Sequence, residues 1–246
     1  MTKEEKKASL IKALRSIPTD MWNLIEMHKK GAEDLKRPDF IWHFMLQSLA
    51  TQGNSRGADG IIRNSSNYSK ITFDALSSLD SKGRIDVLTK VMWDARVRMP
   101  DRKAQWAAAN FDLVSRMGGL AKAKQLALDQ EGAQKKMRFM KQFAGIGDKY
   151  ARNIWMDVYH PEFYDCIAID ERIKKITKEL GYSFESYDEH ERFYLDIASQ
   201  AGLKGWELDR LLYNYRDYFL SRINNPTLGT ESIRADSQFG FPSGCR

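Results

Sequence analysis

Lys135 to Lys178 reads KKMRFMKQFAGIGDKYARNIWMDVYHPEFYDCIAIDERIKKITK, and the middle of this stretch decides the fold. A helix-forming run reaches Phe143-Ala144-Gly145-Ile146-Gly147, and helix resumes at Asp148. Two glycines around one apolar residue permit a tight hairpin, because glycine tolerates left-handed backbone angles and leaves no side chain in the way. The first N–H groups of the second helix then point outward unpaired and, with the helix dipole, suit a phosphate. Taken alone, G-x-G at a helix start is shared with the phosphate loops of nucleotide enzymes. Helix precedes the glycines here, however, which argues against the dinucleotide-binding fold, where a strand does. Helix, apolar-x-Gly-apolar-Gly, helix suits a grip on the DNA backbone that reads no sequence.

Working outward, Ala121 to Lys149 carries seven basic residues (Lys122, Lys124, Lys135, Lys136, Arg138, Lys141, Lys149) against three acidic ones, a local +4. The charge fits a DNA contact and a solvated helix face equally well. On a helix from Asp148, the residues Tyr150, Ala151, Ile154, Trp155 and Val158 gather on one side and Lys149 lies nearly opposite. An arbitrary lysine is a surface lysine, but an amine beside a phosphate-gripping hairpin is placed to attack deoxyribose. Twenty-one residues on (170 − 149), Ile167-Ala168-Ile169-Asp170 puts a carboxylate after a short apolar run and before a helix from Glu171 to Leu180. Aspartate is a favoured N-cap, and capping and catalysis can share one side chain.

Elsewhere the periodic segments also read as helix. Ile85, Leu88, Val91 and Met92 recur at helical spacing, as do Leu208, Leu211, Leu212, Tyr215 and Phe219. Ser186 with Glu189 is a capping-box pattern opening a helix to about Ala201, and Pro100 opens another that Gly118-Gly119 ends. Alternating strand patterns longer than four residues are missing, so the expected class is all-α. Asn64 to Tyr68 reads as a polar loop. From Asn224 onward prolines and glycines stop helix, and Phe239 and Phe241 there are either anchors or part of a frayed end.

Composition bounds the function. The 246 residues contain 39 basic and 33 acidic side chains, a net charge of +6, which permits an acidic polymer as partner without requiring one. No segment approaches the roughly 20 apolar residues that span a bilayer, and the start lacks the apolar region of a signal peptide. A cytoplasmic protein is expected. Two distant cysteines, Cys166 and Cys245, are too few for an iron–sulfur cluster or a four-cysteine zinc site, and a disulfide between them is disfavoured in a reducing compartment. The histidines (His28, His43, His160, His190) have no metal-ligand spacing.

The quoted segment resembles the signature of the helix-hairpin-helix DNA glycosylases, the superfamily of endonuclease III, the mismatch adenine glycosylase and the 8-oxoguanine glycosylases. Their pattern is Leu-Pro-Gly-apolar-Gly-x-Lys-x-Ala, then apolar-x-Asp before a helix about twenty residues later. Phe143 to Ala151 fits the first half, with Ala144 in place of the usual proline, and Ile167 to Asp170 fits the second. Lys149 falls on the lysine of the strand-cleaving members and Asp170 on the essential aspartate, although Glu171-Arg172 after it departs from the usual pattern. More weakly, Phe44 to Gln52 resembles the early helix ending in a residue that fills the gap left by an extruded base. Gln52 is the candidate, with Asn54 beside it. The stretch from Arg102-Lys103 to Gly118-Gly119 resembles the helix before the hairpin unit, and residues 38 to 220 are covered in all.

The resemblance implies two helical lobes with a DNA-binding cleft: residues 33–162 bearing the hairpin and Lys149, and residues 1–32 with 163–246 bearing Asp170. Gly145, Gly147, Lys135, Lys136, Arg138 and Lys141 would hold double-stranded DNA containing a damaged base. A flipped nucleotide would expose its glycosidic bond. Lys149, kept neutral by an enclosed, water-poor site, would attack C1′ while Asp170 stabilises the cationic sugar. A monomer without membrane attachment is expected. No metal or cofactor is expected, beyond a monovalent cation for which the hairpin leaves room. The four cysteines usual in endonuclease III relatives are missing, which shifts the expected lesion toward oxidised purines such as 8-oxoguanine. A base-only glycosylase for alkylated bases and a non-catalytic DNA-binding hairpin module are the alternatives; the joint presence of Lys149 and Asp170 separates them from the main reading.

Overall fold

A computed structural model describes residues 1–53 and 56–225. Asn54 and the segment from Pro226 on, with Phe239, Phe241 and Cys245, lie outside the described residues. Regular structure among the described residues is entirely helical, as the periodicity predicts. In chain order the α-helices are α1 (Lys3–Arg15), α2 (Thr19–Lys29), α3 (Phe40–Thr51), α4 (Arg56–Ile61), α5 (Ser65–Tyr68), α6 (Phe73–Ser77), α7 (Ser81–Asp94) and α8 (Pro100–Arg116). They continue with α9 (Leu120–Leu128), α10 (Gly132–Met140), α11 (Asp148–Asp157), α12 (Glu171–Leu180), α13 (Tyr187–Ala201), α14 (Gly205–Asn214) and α15 (Arg216–Asn224). None is long and apolar enough to cross a membrane.

The chain forms two compact units, one of residues 33–154 and one of residues 1–32 with the segment from Trp155 on. The second division therefore falls inside α11, earlier than the expected 162/163. Packing explains the shift. Trp155 stacks on Phe163 at 5.9 Å, and the Met156 carbonyl accepts the Trp206 indole N–H at 2.7 Å, so the end of α11 is core of the unit that carries α14.

In the 33–154 unit α3 is apolar on nearly every face, which suits a central helix. Trp42 meets Phe73 and Phe111 edge-on and donates its indole N–H to the Ile71 carbonyl at 2.8 Å. The buried indole N–H is thus satisfied while the ring fills core. Helix α8 starts at Pro100 and stops before Gly118-Gly119, and it packs along α7. The stretch read as a polar loop, Asn64 to Tyr68, is a capped helical turn. The Asn64 side chain accepts the Asn67 N–H at 3.1 Å, a local bond that the loop reading overlooked.

In the other unit α1 packs on α12, α13 and α15, and Leu10, Leu14, Ile176, Ile197 and Phe219 of these helices are all buried. Helix α13 opens with the expected capping box, Ser186 Oγ accepting from Glu189 N at 3.2 Å. Among buried polar groups, Arg210 pairs with Asp157 at 2.9 Å.

Candidate active site

The chain between α10 and α11 makes the predicted hairpin, and at its tip is a type II β-turn. The Ile146 N–H donates to the Phe143 carbonyl at 3.1 Å, and Gly145 at the third position has φ +82°. Glycine is required twice over at 145, since a Cβ would also come 2.7 Å from Leu49 Cδ2 and Trp106 Cε3. Gly147 is different: an added Cβ there would meet nothing within 4 Å, so the face it presents is open. The N–H groups of Gly147, Asp148 and Lys149 donate to no group among the described residues. Three exposed or half-exposed donors thus stand without partners among the described residues at a helix start, the arrangement that an anion would require.

Side chains from other helices hold this turn. The buried Asn110 of α8 donates from Nδ2 to the Ala144 carbonyl at 3.0 Å and accepts the Ala144 N–H on Oδ1 at 2.7 Å. Gln52, just past α3, donates from Nε2 to the Gly145 carbonyl at 2.6 Å. The Gln52 carbonyl in turn accepts from Lys103 Nζ at 2.9 Å. Lys103 is fully buried, and burial, with Arg98 beside it, lowers its pKa to about 8. Gln52, expected to fill the gap of an extruded base, is therefore a strut of the hairpin in this structure.

Lys149 is half-exposed within its unit rather than enclosed, and its ammonium lies 4.2 Å from the centre of the Tyr150 ring. That cation–π contact is its one interaction among the described residues. Ala151 and Ile154 on the same helix are buried, as the wheel predicts.

The expected phosphate-binding side chains divide. Arg138 is exposed and unpaired among the described residues. Lys135 is exposed and 3.6 Å from Glu131, and Lys141 pairs with Asp148 at 2.6 Å. Lys136 does not belong with them. It is 3% exposed, and Nζ donates to the carbonyls of Leu128 (3.3 Å) and Gln130, which close the C-terminal end of α9. Unpaired helix-end carbonyls attract a cation, and the buried Lys136 ammonium is turned toward them rather than toward the open surface.

In the other unit Asp170 caps α12. Its Oδ1 accepts from the N–H groups of Arg172 and Ile173, both at 2.9 Å, while Oδ2 accepts nothing among the described residues. One oxygen fixes the carboxylate as the helix cap, and the other is not used by the cap. The preceding residues, 167–169, belong to no helix and pair with no strand. Ile167 N–H donates to Glu191 Oε1 (2.9 Å), Ala168 N–H to Asp209 Oδ1 (2.8 Å) and Ile169 N–H to the Tyr187 hydroxyl (2.8 Å). The Tyr187 hydroxyl donates onward to the Ile167 carbonyl at 2.9 Å. Arg172 donates to the Tyr213 carbonyl at 2.6 Å with its guanidinium over that ring.

Sequence reasoning missed Asn110, Glu191, Asp209 and Tyr187. The signal available was polar residues on helix faces that otherwise bury, clearest for Asn110 between Ala107 and Phe111. Among the described residues no cluster of three or more histidines, cysteines, aspartates or glutamates is placed to hold a metal ion. Cys166 is buried.

No protein-family model matches the chain, and no curated protein matches its sequence. Solved structures do match. The 8-oxoguanine DNA glycosylase of Thermotoga maritima superposes with a TM-score of 0.64 at 19% identity, over 84% of this chain and 95% of the other. The 8-oxoguanine DNA glycosylase of Methanocaldococcus jannaschii gives 0.62 at 21% identity over 81% and 90%. An 8-oxoguanine glycosylase/lyase of the same organism, in complex with a 15mer DNA containing 8-oxoguanine, gives 0.61 at 18% over 83% and 94%. A hairpin with open amide donors, a lysine at the next helix start and an aspartate cap twenty-one residues on are thus carried by a chain with the fold of the 8-oxoguanine DNA glycosylases.

Proposed function

We propose that the chain is a base-excision DNA glycosylase with strand-cleaving lyase activity, acting on double-stranded DNA inside the cell and removing an oxidised purine, 8-oxoguanine first. The observation that carries this is Lys149, an unshared amine one residue into α11, beside three amide donors free to hold a phosphate. The shared fold with 8-oxoguanine enzymes of two organisms supports the lesion class. Lys149 Nζ, in its neutral form, forms a bond to C1′ as the C1′–N9 bond breaks and its electron pair leaves with the base. Asp170 Oδ2 offers negative charge to the sugar as it turns cationic. The departing base takes one proton from Nζ; the C1′–O4′ bond then breaks, O4′ takes its electron pair and the second Nζ proton, and an imine remains between Nζ and C1′. Loss of a C2′ proton then expels the 3′ phosphate and nicks the strand. These steps require neither a metal nor an organic cofactor.

The test is a panel of duplexes, each with one defined lesion, incubated with the protein and borohydride. 8-Oxoguanine should be released fastest, with a covalent adduct that survives denaturation. Faster release of thymine glycol would move the protein toward endonuclease III, and release of methylated adenine alone, with no adduct, toward alkylation repair. Duplex binding with no release from any lesion leaves a non-catalytic hairpin module.

A further inference from the structure

We infer that Asn110 is the positioning residue of the hairpin, doing by hydrogen bonding what a proline at position 144 would do by its ring. The role rests on the DNA-gripping part of the reading above. Ala144 is the second residue of the type II turn from Phe143 to Ile146, the place where proline is favoured because its fixed φ presets the turn. Proline is also what the family pattern puts there. An alanine leaves φ free and adds an N–H that a half-buried turn must satisfy.

Asn110 answers both needs. Its Oδ1 takes the Ala144 N–H at 2.7 Å and its Nδ2 gives to the Ala144 carbonyl at 3.0 Å, so one carboxamide grips both ends of one residue. Asn110 is 1% exposed, on the α8 face that otherwise buries Ala104, Ala107, Ala108, Phe111 and Val114. A carboxamide among such neighbours is unfavourable unless paired, and both of its hydrogen bonds among the described residues go to the hairpin. A proline at 144 would remove the N–H and orphan Oδ1, so asparagine at 110 and alanine at 144 form a matched pair.

A double-mutant cycle tests this. The full chain, Asn110→Leu, Ala144→Pro and the double variant are compared for binding to an undamaged duplex, and for KM and kcat on an 8-oxoguanine duplex. Asn110→Leu should weaken duplex binding and raise KM by about tenfold with kcat held within about twofold, the pattern of lost uniform binding. Ala144→Pro alone should also weaken binding. Together they should recover to within about threefold of the parent, since the leucine needs no N–H and the proline offers none. Unchanged binding in Asn110→Leu, or a double variant no better than the worse single one, overturns the inference. Should Asn110→Leu not fold, recovery of a folded, duplex-binding chain by adding Ala144→Pro supports it, and no recovery overturns it. A parent that binds duplex but excises nothing sinks the glycosylase reading alone, and the cycle in duplex affinity still judges the clamp.

Discussion

The hairpin before Lys149 and the run before Asp170 both lack regular hydrogen-bonding partners, yet they are held in different ways. Around the hairpin the struts are carboxamides, Asn110, which gives and accepts, and Gln52, which gives. Along residues 167–169 they are two carboxylates and a phenol, Glu191, Asp209 and Tyr187, and each takes a backbone N–H. Bonds to an ionised acceptor are about twice as strong as neutral ones. The carboxylate of Asp170 is itself locked through Oδ1, whereas the Lys149 amine has only a ring beside it. The contrast suits the tasks proposed for the two side chains. A carboxylate that stabilises a charge must be preorganised, and an amine that forms and later releases a bond to the sugar needs room to move.

The largest effect expected is at the loosely held end. Lys149→Gln should abolish both the borohydride-trapped adduct and the nick on 8-oxoguanine duplex, with binding to undamaged duplex kept, because the amide donors and Gly147 are untouched. Other lysines and the N-terminal amine form weak imines with abasic sites, so a faint band is expected to remain. A full-strength adduct in this variant would place the nucleophile elsewhere and make Lys149 an ordinary phosphate contact.

At the locked end, Asp170→Asn should lower base excision by about 10²-fold or more, the scale of losing a charge aimed at a transition state. An amide oxygen can still accept from Arg172 and Ile173, so the melting temperature should barely move. Unchanged excision on a good substrate would reduce Asp170 to a helix cap. Beneath it, Asp209→Ala strands the buried Ala168 N–H and removes the 3.3 Å partner of Arg210. A stability loss of about 2–3 kcal/mol is expected in denaturant unfolding, with excision falling as the run before Asp170 loosens. Full excision in the folded variant would detach that run from the chemistry.

The fold was readable because helices announce themselves by spacing and caps: Ser186 with Glu189, Pro100, Gly145 and Asp170 each do locally what their residue type dictates. The hairpin, Lys149 and Asp170 were readable for the same reason, each carried by a short local pattern within one stretch of sequence. What holds them was not, because Asn110 lies 34 residues from Ala144, and Asp209 lies 41 from Ala168. Nothing local marks such a partner. Lys136 shows the converse: its charge advertised a phosphate contact, but its place on the buried face of α10 directs the ammonium to the end of α9.

Acid should destabilise both compact units through their buried histidines. Burial holds His43 near pKa 4, with Arg37 adding to the effect, and His190 near 4, with Lys174 adding. Burial and then Arg210 lower His28 to about 3. Each is lowered from 6.5, so between about 4 and 6.5 the unfolded chain binds more protons than the folded one. Stability then rises with pH across that window. The contribution is complete above 6.5 and is lost as the pH falls toward 4. Denaturant midpoints taken from pH 7 to pH 4 should drop steadily, and His43→Gln should flatten part of the slope. A midpoint constant over that range would mean that these rings are free to ionise in the folded chain.

The smallest effect separates two cations of α10 that sequence treats alike. Arg138 is exposed and unpaired among the described residues, so a phosphate can take it without breaking another bond. Arg138→Gln should lower the slope of log affinity against log salt by about 0.9, one phosphate contact, on undamaged duplex. Lys136→Met should leave that slope alone, because its ammonium is committed to the carbonyls of Leu128 and Gln130. It should instead cost about 1–2 kcal/mol of folding stability as those acceptors lose a charged donor. Slope and stability therefore respond to different lysine-or-arginine positions on one short helix. If Lys136→Met lowered the salt slope as Arg138→Gln does, the buried ammonium would have to leave α9 when DNA binds, and the closed helix end seen here would be a resting arrangement.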